Sequence, residues 1–355
     1  MIPTETRNWI VRPVASGDVD AVYDLAASLG PGMTTFPADR DVLAEKIGRS
    51  TASFAEAVPL LSSHYMLVLE DLDTGGILGT AALYPNVGAP HGFFSYKRIR
   101  LVHRSQALAA GCDVELLTLA NDYTGTTEIG TLAVRPHLKG TGAGRLLARS
   151  RYMLVATRPE LFSPILMAEM RGWQDADGSS PFWDAVGAHF FKMDFATADH
   201  VSAMRGAQFI AELLPKHPIY IDLLPERARS VIGRPHDSSA AAMAMLLDEG
   251  FRYEGYVDVF DAGPQVHVAR NQIETVRTSR VGPACALSRS AAPGAPCCLL
   301  CTDDLADFRV VAARGHAYAG ELAVDDRSLR VLGSAHGRSL RWSPSVERQT
   351  SGQAG

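Results

Sequence analysis

The spacing of apolar positions divides the first third of the chain into short alternating elements. Residues 9–14 are β-rich, and Gly17-Asp18 then opens a stretch where Val19, Val22, Leu25, Ala26 and Leu29 recur at helical spacing. Gly30-Pro31-Gly32 stops that helix. Residues 65–70 read as a strand, 73–76 (Asp-Thr-Gly-Gly) as a turn and 76–83 as a returning strand, which predicts a hairpin. Strand, helix and hairpin in that order predict an α+β (mixed α/β) fold, not a bundle. Further helices are expected over 145–157, 180–193 and 208–214. Near Val281 the pattern changes. Residues 282–296 are rich in Ala, Ser, Gly and Pro and read as a linker or exposed loop. Short β-type segments at 308–312 and 328–332 come next, so a small separate β unit is expected, and from about Ser343 a polar, frayed tail. No internal repeat of fixed period is visible.

Composition narrows the function classes. At roughly 150 residues per domain, 355 residues suggest about two domains. Lys and Arg number 34 against 39 Asp and Glu, so the net charge is 34 − 39 = −5. That balance argues against a nucleic-acid partner, which needs a clustered basic excess. No apolar run approaches the roughly 18 residues that span a bilayer, so no membrane role is expected. The opening Met-Ile-Pro-Thr-Glu-Thr-Arg lacks an apolar signal core. Five cysteines, an odd number, are too sparse for a disulfide scaffold. Together these point to a cytoplasmic protein. Cys297-Cys298-Leu299-Leu300-Cys301 holds one C-x-x-C with no second pair, so the expected role is small apolar side chains on a buried strand, with no metal site.

The most chemical segment runs from Glu128 to Leu147: a strand, an Arg135-Pro136 turn, Lys139-Gly140-Thr141-Gly142-Ala143-Gly144, then a helix. Glycines at 140, 142 and 144 let a ligand approach the backbone, and the helix N-terminus adds a positive dipole, an arrangement suited to pyrophosphate. A phosphate-loop NTPase would need Gly-Lys-Ser/Thr, absent at Gly144-Arg145-Leu146. A dinucleotide fold would need G-x-G-x-x-G with an acidic strand end about 20 positions on, whereas the spacing here is G-x-G-x-G and no such strand end follows. Coenzyme A is the third reading, and a tight strand–helix turn with no ligand is the competing one.

Arg-Pro-x-x-Lys-Gly-x-Gly-x-Gly-Arg-x-Leu-Leu resembles the acyl-CoA signature of the GNAT superfamily, with Lys139 where Arg or Gln is usual. Residues 245–251, a helix ending in Glu249-Gly250-Phe251 before a strand over 253–260, are a second echo. The long interval between them is similar to the arginine N-succinyltransferase family. The resemblance is carried by Ala168-Glu169-Met170-Arg171-Gly172, Ser180-Pro181-Phe182-Trp183, Leu214-Pro215-Lys216-His217-Pro218, Val231-Ile232-Gly233 and Phe260-Asp261-Ala262-Gly263-Pro264. It runs from Val11 to about Arg280 and is weak beyond Pro283.

The resemblance implies an acyl-CoA N-acyltransferase-like fold, expected as two related halves over residues 1–280. A small β-barrel-like unit over 281–342 and a flexible tail over 343–355 complete it. It implies transfer of succinyl from succinyl-CoA, a co-substrate and not a resident cofactor, to the α-amine of L-arginine. Some members of the family pair related subunits and also use ornithine, so a homo-oligomer or a hetero-oligomer with a paralogous subunit is expected. An acyltransferase of shifted specificity and a non-catalytic acyl-CoA-binding partner are the alternatives.

The family position of the catalytic histidine, a proton donor, falls on His236, and that of a succinyl-CoA contact falls on Leu132. An α-ammonium must lose a proton before attack and the departing thiolate can take one up, which suits an imidazole. Lys139, Gly140, Gly142 and Gly144 complete the cofactor-binding candidates. For the substrate, Glu169, Glu212 and Asp194 suit a guanidinium, and Arg171 or Lys216 a succinyl carboxylate. His217 is a second histidine candidate, as a substrate wall. Phe182 and Trp183 read as core aromatics.

Overall fold

The computed structural model describes residues 7–29, 35–198, 201, 212–287, 296–318, 321–334 and 337–344. Most of the helix expected over 208–214 lies outside them. The chain folds into two units, each assembled from separate stretches. Met1–Leu83, Thr131–Leu161 and Asn271–Gly355 make the first, Tyr84–Gly130 and Phe162–Arg270 the second.

In the first unit, β1 (Trp9–Pro13) pairs antiparallel with β2 (Tyr65–Asp71), Val11 opposite Leu69. β2 pairs with β3 (Ile77–Tyr84), Leu67 opposite Ala81, so the expected hairpin forms. β3 neighbours β6 (Thr127–Val134). Helices α1 (Val19–Leu29) and α2 (Arg40–Phe54) cover one face and bury Val22, Leu25, Leu43 and Ile47 against Met66, Val68 and Ile77. α2 starts where it does because Asp39 accepts from the N–H groups of Asp41 and Val42, both at 3.0 Å. β3 approaches its neighbours so closely that a Cβ on Gly79 would collide with the Ala133 carbonyl and the Leu147 side chain.

Helix α3 (Ala143–Thr157) includes the predicted span 145–157 and is buried on nearly every face, Leu146, Leu147, Leu154 and Val155 among its buried residues. Even Arg149 is 3% exposed, its guanidinium satisfied by Thr275 Oγ1 at 2.8 Å and the Pro344 carbonyl at 2.9 Å.

Residues beyond 280 join this unit as five strands: β11 (Arg280–Ala286), β12 (Cys297–Thr302), β13 (Val310–Tyr318), β14 (Glu321–Val324) and β15 (Ser339–Pro344). Their pairings close a ring: β12 with β13, β13 with β14, β14 with β11, β11 with β15 and β15 with β12. β1 joins the ring through Val11 and Val310. Two expectations need correction here. The linker expected from Gly282 is strand as far as Ala286, because Arg280–Pro283 pair with β15 and Ala284–Ala286 with β14. The β segment expected over 328–332 is helix Asp326–Val331: Asp325 caps it by accepting from Ser328 N–H at 2.8 Å, and Leu329 and Leu332 supply a buried face. Cys298 and Cys301 are buried on β12 as expected, and burial pushes both thiols up to about 12.

In the second unit the strand order is β7 (Ile165–Glu169), β10 (Pro264–Ala269), β9 (Arg252–Asp258), β4 (Ser95–Ser105), β5 (Ala110–Ala120), β8 (Ile219–Tyr220). Every one of these neighbouring pairs is antiparallel. The first part of β6 joins β7 in parallel, at Thr127 with Leu166 and Glu128 with Met167. The core gathers Tyr96, Leu117, Phe182, Trp183, Val257 and Phe260, so Phe182 and Trp183 are core aromatics as expected. The single helix expected over 180–193 is instead two short ones, α4 (Pro181–Ala185) and α5 (Gly187–Phe191). Val186 leaves helical geometry at φ −125°, and Gly187 lies so close under the Trp183 ring that no Cβ fits. Parallel and antiparallel strands with helices make the fold mixed α/β. Among the described residues, no helix is long and apolar enough to cross a membrane.

Candidate active site

The first unit carries the glycine loop. β6 leaves the sheet at Arg135, whose N–H donates to the Leu78 carbonyl and whose Nε donates to that of Ile77, both at 2.9 Å. A short 3-10 turn, Pro136–Leu138, comes next with Pro at its start. Gly140 (φ 80°) and Gly142 (φ 90°) then take left-handed backbone, and Gly142 is the N-cap of α3. No side chain caps that helix and no acidic residue stands in its first turn, so its opening N–H groups and dipole are uncompensated from within the helix. A Cβ at Gly140 or Gly144 would meet nothing within 4 Å, and Lys139 is exposed beside them. The arrangement can receive an anion.

One feature of this unit escapes sequence reading. Thr131, only 4% exposed and in the middle of β6, has φ 52°. A β-branched residue in left-handed backbone costs about 1–3 kcal/mol, and such strain concentrates at functional sites. Thr131 immediately precedes Leu132, which is half-buried in β6.

The second unit carries His236. Its N–H donates to the Arg171 carbonyl at 2.8 Å, and Pro235 bridges Gly172, so the segment after β7 and the His236 loop run antiparallel. Asp261 ties this crossing down: its two carboxylate oxygens accept from Gly172 N–H at 2.7 Å and Gly263 N–H at 2.8 Å. Gly172 and Gly263 are required here, since a Cβ on either would strike Asp261 or the Met170 carbonyl. The Trp173 ring faces the imidazole at 6.3 Å between centroids, with the Arg234 guanidinium 3.7 Å above the indole.

The His236 ring is oriented by the turn on its C-terminal side. His236 is the N-cap of a 3-10 turn, Asp237–Ser239, and Nδ1 accepts from the Ser238 N–H at 3.2 Å with Ser238 Oγ at 2.7 Å. Because a backbone N–H donates to Nδ1, the neutral ring carries its proton on Nε2. The helix expected near 245–249 spans Ala240–Asp248, and Gly250 (φ 95°) ends it while the Phe251 N–H reaches back to the Leu246 carbonyl at 3.1 Å. Ser238→Ala removes the hydroxyl but keeps the N–H. One lost hydrogen bond of about 1 kcal/mol should leave the turn folded and loosen the imidazole, as thermal melting and the NMR signals of the His236 ring would read.

The remaining candidates separate. Arg171 sits beside His236 through its backbone, while its guanidinium donates to Gln174 Oε1. Glu169 ends β7 and accepts from Gln265 Nε2 at 2.6 Å. It keeps an accessible surface, yet burial of its carboxyl together with Asp258 and Glu128 pushes its pKa well up. Burial and Asp258 likewise push Asp261 up to about 8. Glu212, Lys216 and His217 are exposed on the segment leading into β8, apart in sequence from the His236 crossing. Asp194 caps the turn after α5, accepting from the Thr197 N–H at 2.7 Å. Among the described residues, no group of three or more His, Cys, Asp or Glu could hold a metal ion. Sequence reading singled out His236 and Glu169 but missed Ser238, Trp173 and Gln265, whose parts depend on tertiary pairing.

Residues 9–275 match the family model described as arginine N-succinyltransferase beta subunit. An arginine N-succinyltransferase subunit beta of Pseudomonas aeruginosa is 38% identical over 335 residues, covering 94% of this chain and 98% of that protein. An arginine N-succinyltransferase of Enterobacter sp. (strain 638) is 37% identical over 333 residues, covering 94% and 96%. The solved structure of arginine/ornithine succinyltransferase subunit AI from Pseudomonas aeruginosa superposes with a TM-score of 0.85 at 30% identity, covering 96% of this chain and all of that one. The chain therefore belongs to the arginine N-succinyltransferase family.

Proposed function

We propose that this protein transfers succinyl from succinyl-CoA to the α-amine of L-arginine, giving N2-succinyl-L-arginine and CoA, a step of arginine catabolism. The observation that carries the reading is the end-to-end likeness to proteins named for that reaction. The fold is then read as the acyl-CoA N-acyltransferase type built of two related halves, and the ring of β11–β15 as a small barrel. The likeness, with no membrane-crossing helix among the described residues, supports placement in the cytoplasm.

In this reading the N–H groups at Gly142–Gly144 receive the CoA pyrophosphate, Lys139 adds a charge, and the Leu132 backbone pairs with the pantetheine amides. The arginine α-amine attacks the thioester carbonyl carbon directly, the N–C bond forms, and the C–S bond breaks with no acyl-enzyme. His236 donates its Nε2 proton to the departing sulfur, and Trp173 and Ser238 hold the ring for it. Arg171, Glu212 and His217 remain candidates for substrate contacts. A hetero-oligomer that also takes ornithine is the second reading, favoured by the subunit names of two relatives. A homo-oligomer is its alternative.

The test is mass spectrometry of products from the purified chain, succinyl-CoA and equimolar arginine, ornithine and lysine. Succinylarginine should dominate. Succinylornithine in its place would keep the chemistry and move the acceptor. CoA binding without any product would favour a binding partner over an enzyme.

A further inference from the structure

Glu169 and Gln265 stand directly opposite each other across β7 and β10, so both side chains lie on one face of the sheet. Gln265 is fully buried and its Oε1 has no hydrogen-bond partner, although its Nε2 donates to Glu169 Oε1 at 2.6 Å. A buried acceptor left without a donor is costly, and this one belongs to an amide already bonded to Glu169. The carboxyls that crowd Glu169 are otherwise engaged. Asp258 accepts from the N–H groups of Phe260 and Asp261, and Asp261 from those of Gly172 and Gly263. Among the described residues, no Lys or Arg forms an ion pair with Glu169, Asp258 or Asp261. Glu169 is the accessible member of the group, and the next residue but one supplies the carbonyl that holds the His236 loop. The place therefore offers acceptor oxygens, Glu169 having accessible surface, to a donor-rich cation that none of the described residues supplies.

We infer that Glu169, positioned by Gln265, receives the α-ammonium of the acceptor amino acid and takes its proton before attack. The inference rests on the proposed succinyl transfer and adds the group that frees the nucleophile. The proton balance is complete. Of the two protons the nitrogen loses, one passes to Glu169 and on to water. The other is recovered by His236 after it has protonated the sulfur, while N–C forms and C–S breaks. A carboxyl partly buried at its tip and crowded by Asp258, Glu128 and Asp261 is a stronger base than a free one, which supports the assignment. An anchoring role for a guanidinium would favour a fully ionised carboxylate instead.

The experiment is steady-state kinetics of Glu169→Gln and Gln265→Leu, with L-arginine and succinyl-CoA varied separately across pH. Glu169→Gln is isosteric and should lower kcat at neutral pH at least about 100-fold, with both KM values within about threefold. Its deficit should shrink at alkaline pH, where the arginine α-amine is already free. Gln265→Leu removes a hydrogen bond that favours the ionised carboxyl, so the acid limb of the rate profile should move to higher pH. A raised KM for arginine with kcat intact in Glu169→Gln would overturn the inference in favour of a guanidinium seat. A loss that pH does not relieve would overturn it in favour of a structural role. Absence of succinylarginine from the wild-type chain would instead sink the proposed function, an outcome separate from both.

Discussion

His236→Asn should lower kcat by about 10²–10⁴-fold and leave KM for succinyl-CoA nearly unchanged. Asparagine is informative because its side-chain oxygen reaches the place of Nδ1. It can still accept from the Ser238 N–H and cap the Asp237–Ser239 turn, as asparagine does readily. What it lacks is the Nε2 proton. The loop should therefore stay folded, held by the His236 N–H on the Arg171 carbonyl and by the Pro235–Gly172 bridge. His236→Gln, with a longer side chain, abandons the cap and should show the same loss with added instability. Initial rates of CoA release at saturating substrates, with calorimetric titration of CoA, check both. Turnover within about threefold of wild type in the asparagine variant would remove His236 from the proton transfer.

Gly142→Val acts on the other substrate and should do so through KM. The position has φ 90°, a conformation in which a β-branched residue is strained by about 1–3 kcal/mol. The loop either keeps its shape at that cost or gives it up to relieve the strain. In the first case two methyl groups stand over the opening N–H groups of α3, and in the second those groups no longer converge. Either way CoA affinity should fall about 10–100-fold, equivalent to roughly 1.4–2.7 kcal/mol, while kcat at saturation changes little. Calorimetric titration of CoA reads this without turnover. Undiminished affinity would move the pyrophosphate away from this loop. His236→Asn and Gly142→Val thus separate the two substrates kinetically, the first on kcat and the second on KM.

The elements that sequence reading located were those whose signals are local. β1, the β2–β3 hairpin, α1 and α3 arise from apolar periodicity bounded by Gly, Pro or a turn. The glycine loop was legible for the same reason, since three closely spaced glycines before an amphipathic stretch advertise their own geometry. The β4–β5 hairpin was not singled out. Its outer residues alternate charges that pair across the ribbon, Arg98 with Glu115 and Arg100 with Asp113, so the apolar alternation that marks a half-buried strand is missing. Residues 328–332 look β-prone in isolation, but one capping aspartate upstream decides for helix. Thr131 is invisible from sequence because threonine disfavours the backbone it adopts, and only tertiary constraint keeps it there. His236 and Glu169 were found through resemblance. Their partners Ser238 and Gln265 lie on ordinary stretches, and nothing but the pairing of β7 with β10 and the turn at 237–239 reveals them.

The discontinuous assembly of the first unit constrains how a ribosome can deliver this protein. β1 is made within the first dozen or so residues, but its pairing with β13 must await Val310. Arg149 of α3 finds two of its acceptors at Ser343 and Pro344, nearly 200 residues later. Until then the nascent chain holds an open strand edge, which invites wrong partners. A chain stopped near residue 280 is therefore no shortened enzyme. Its oldest strand would still be waiting for its youngest neighbour.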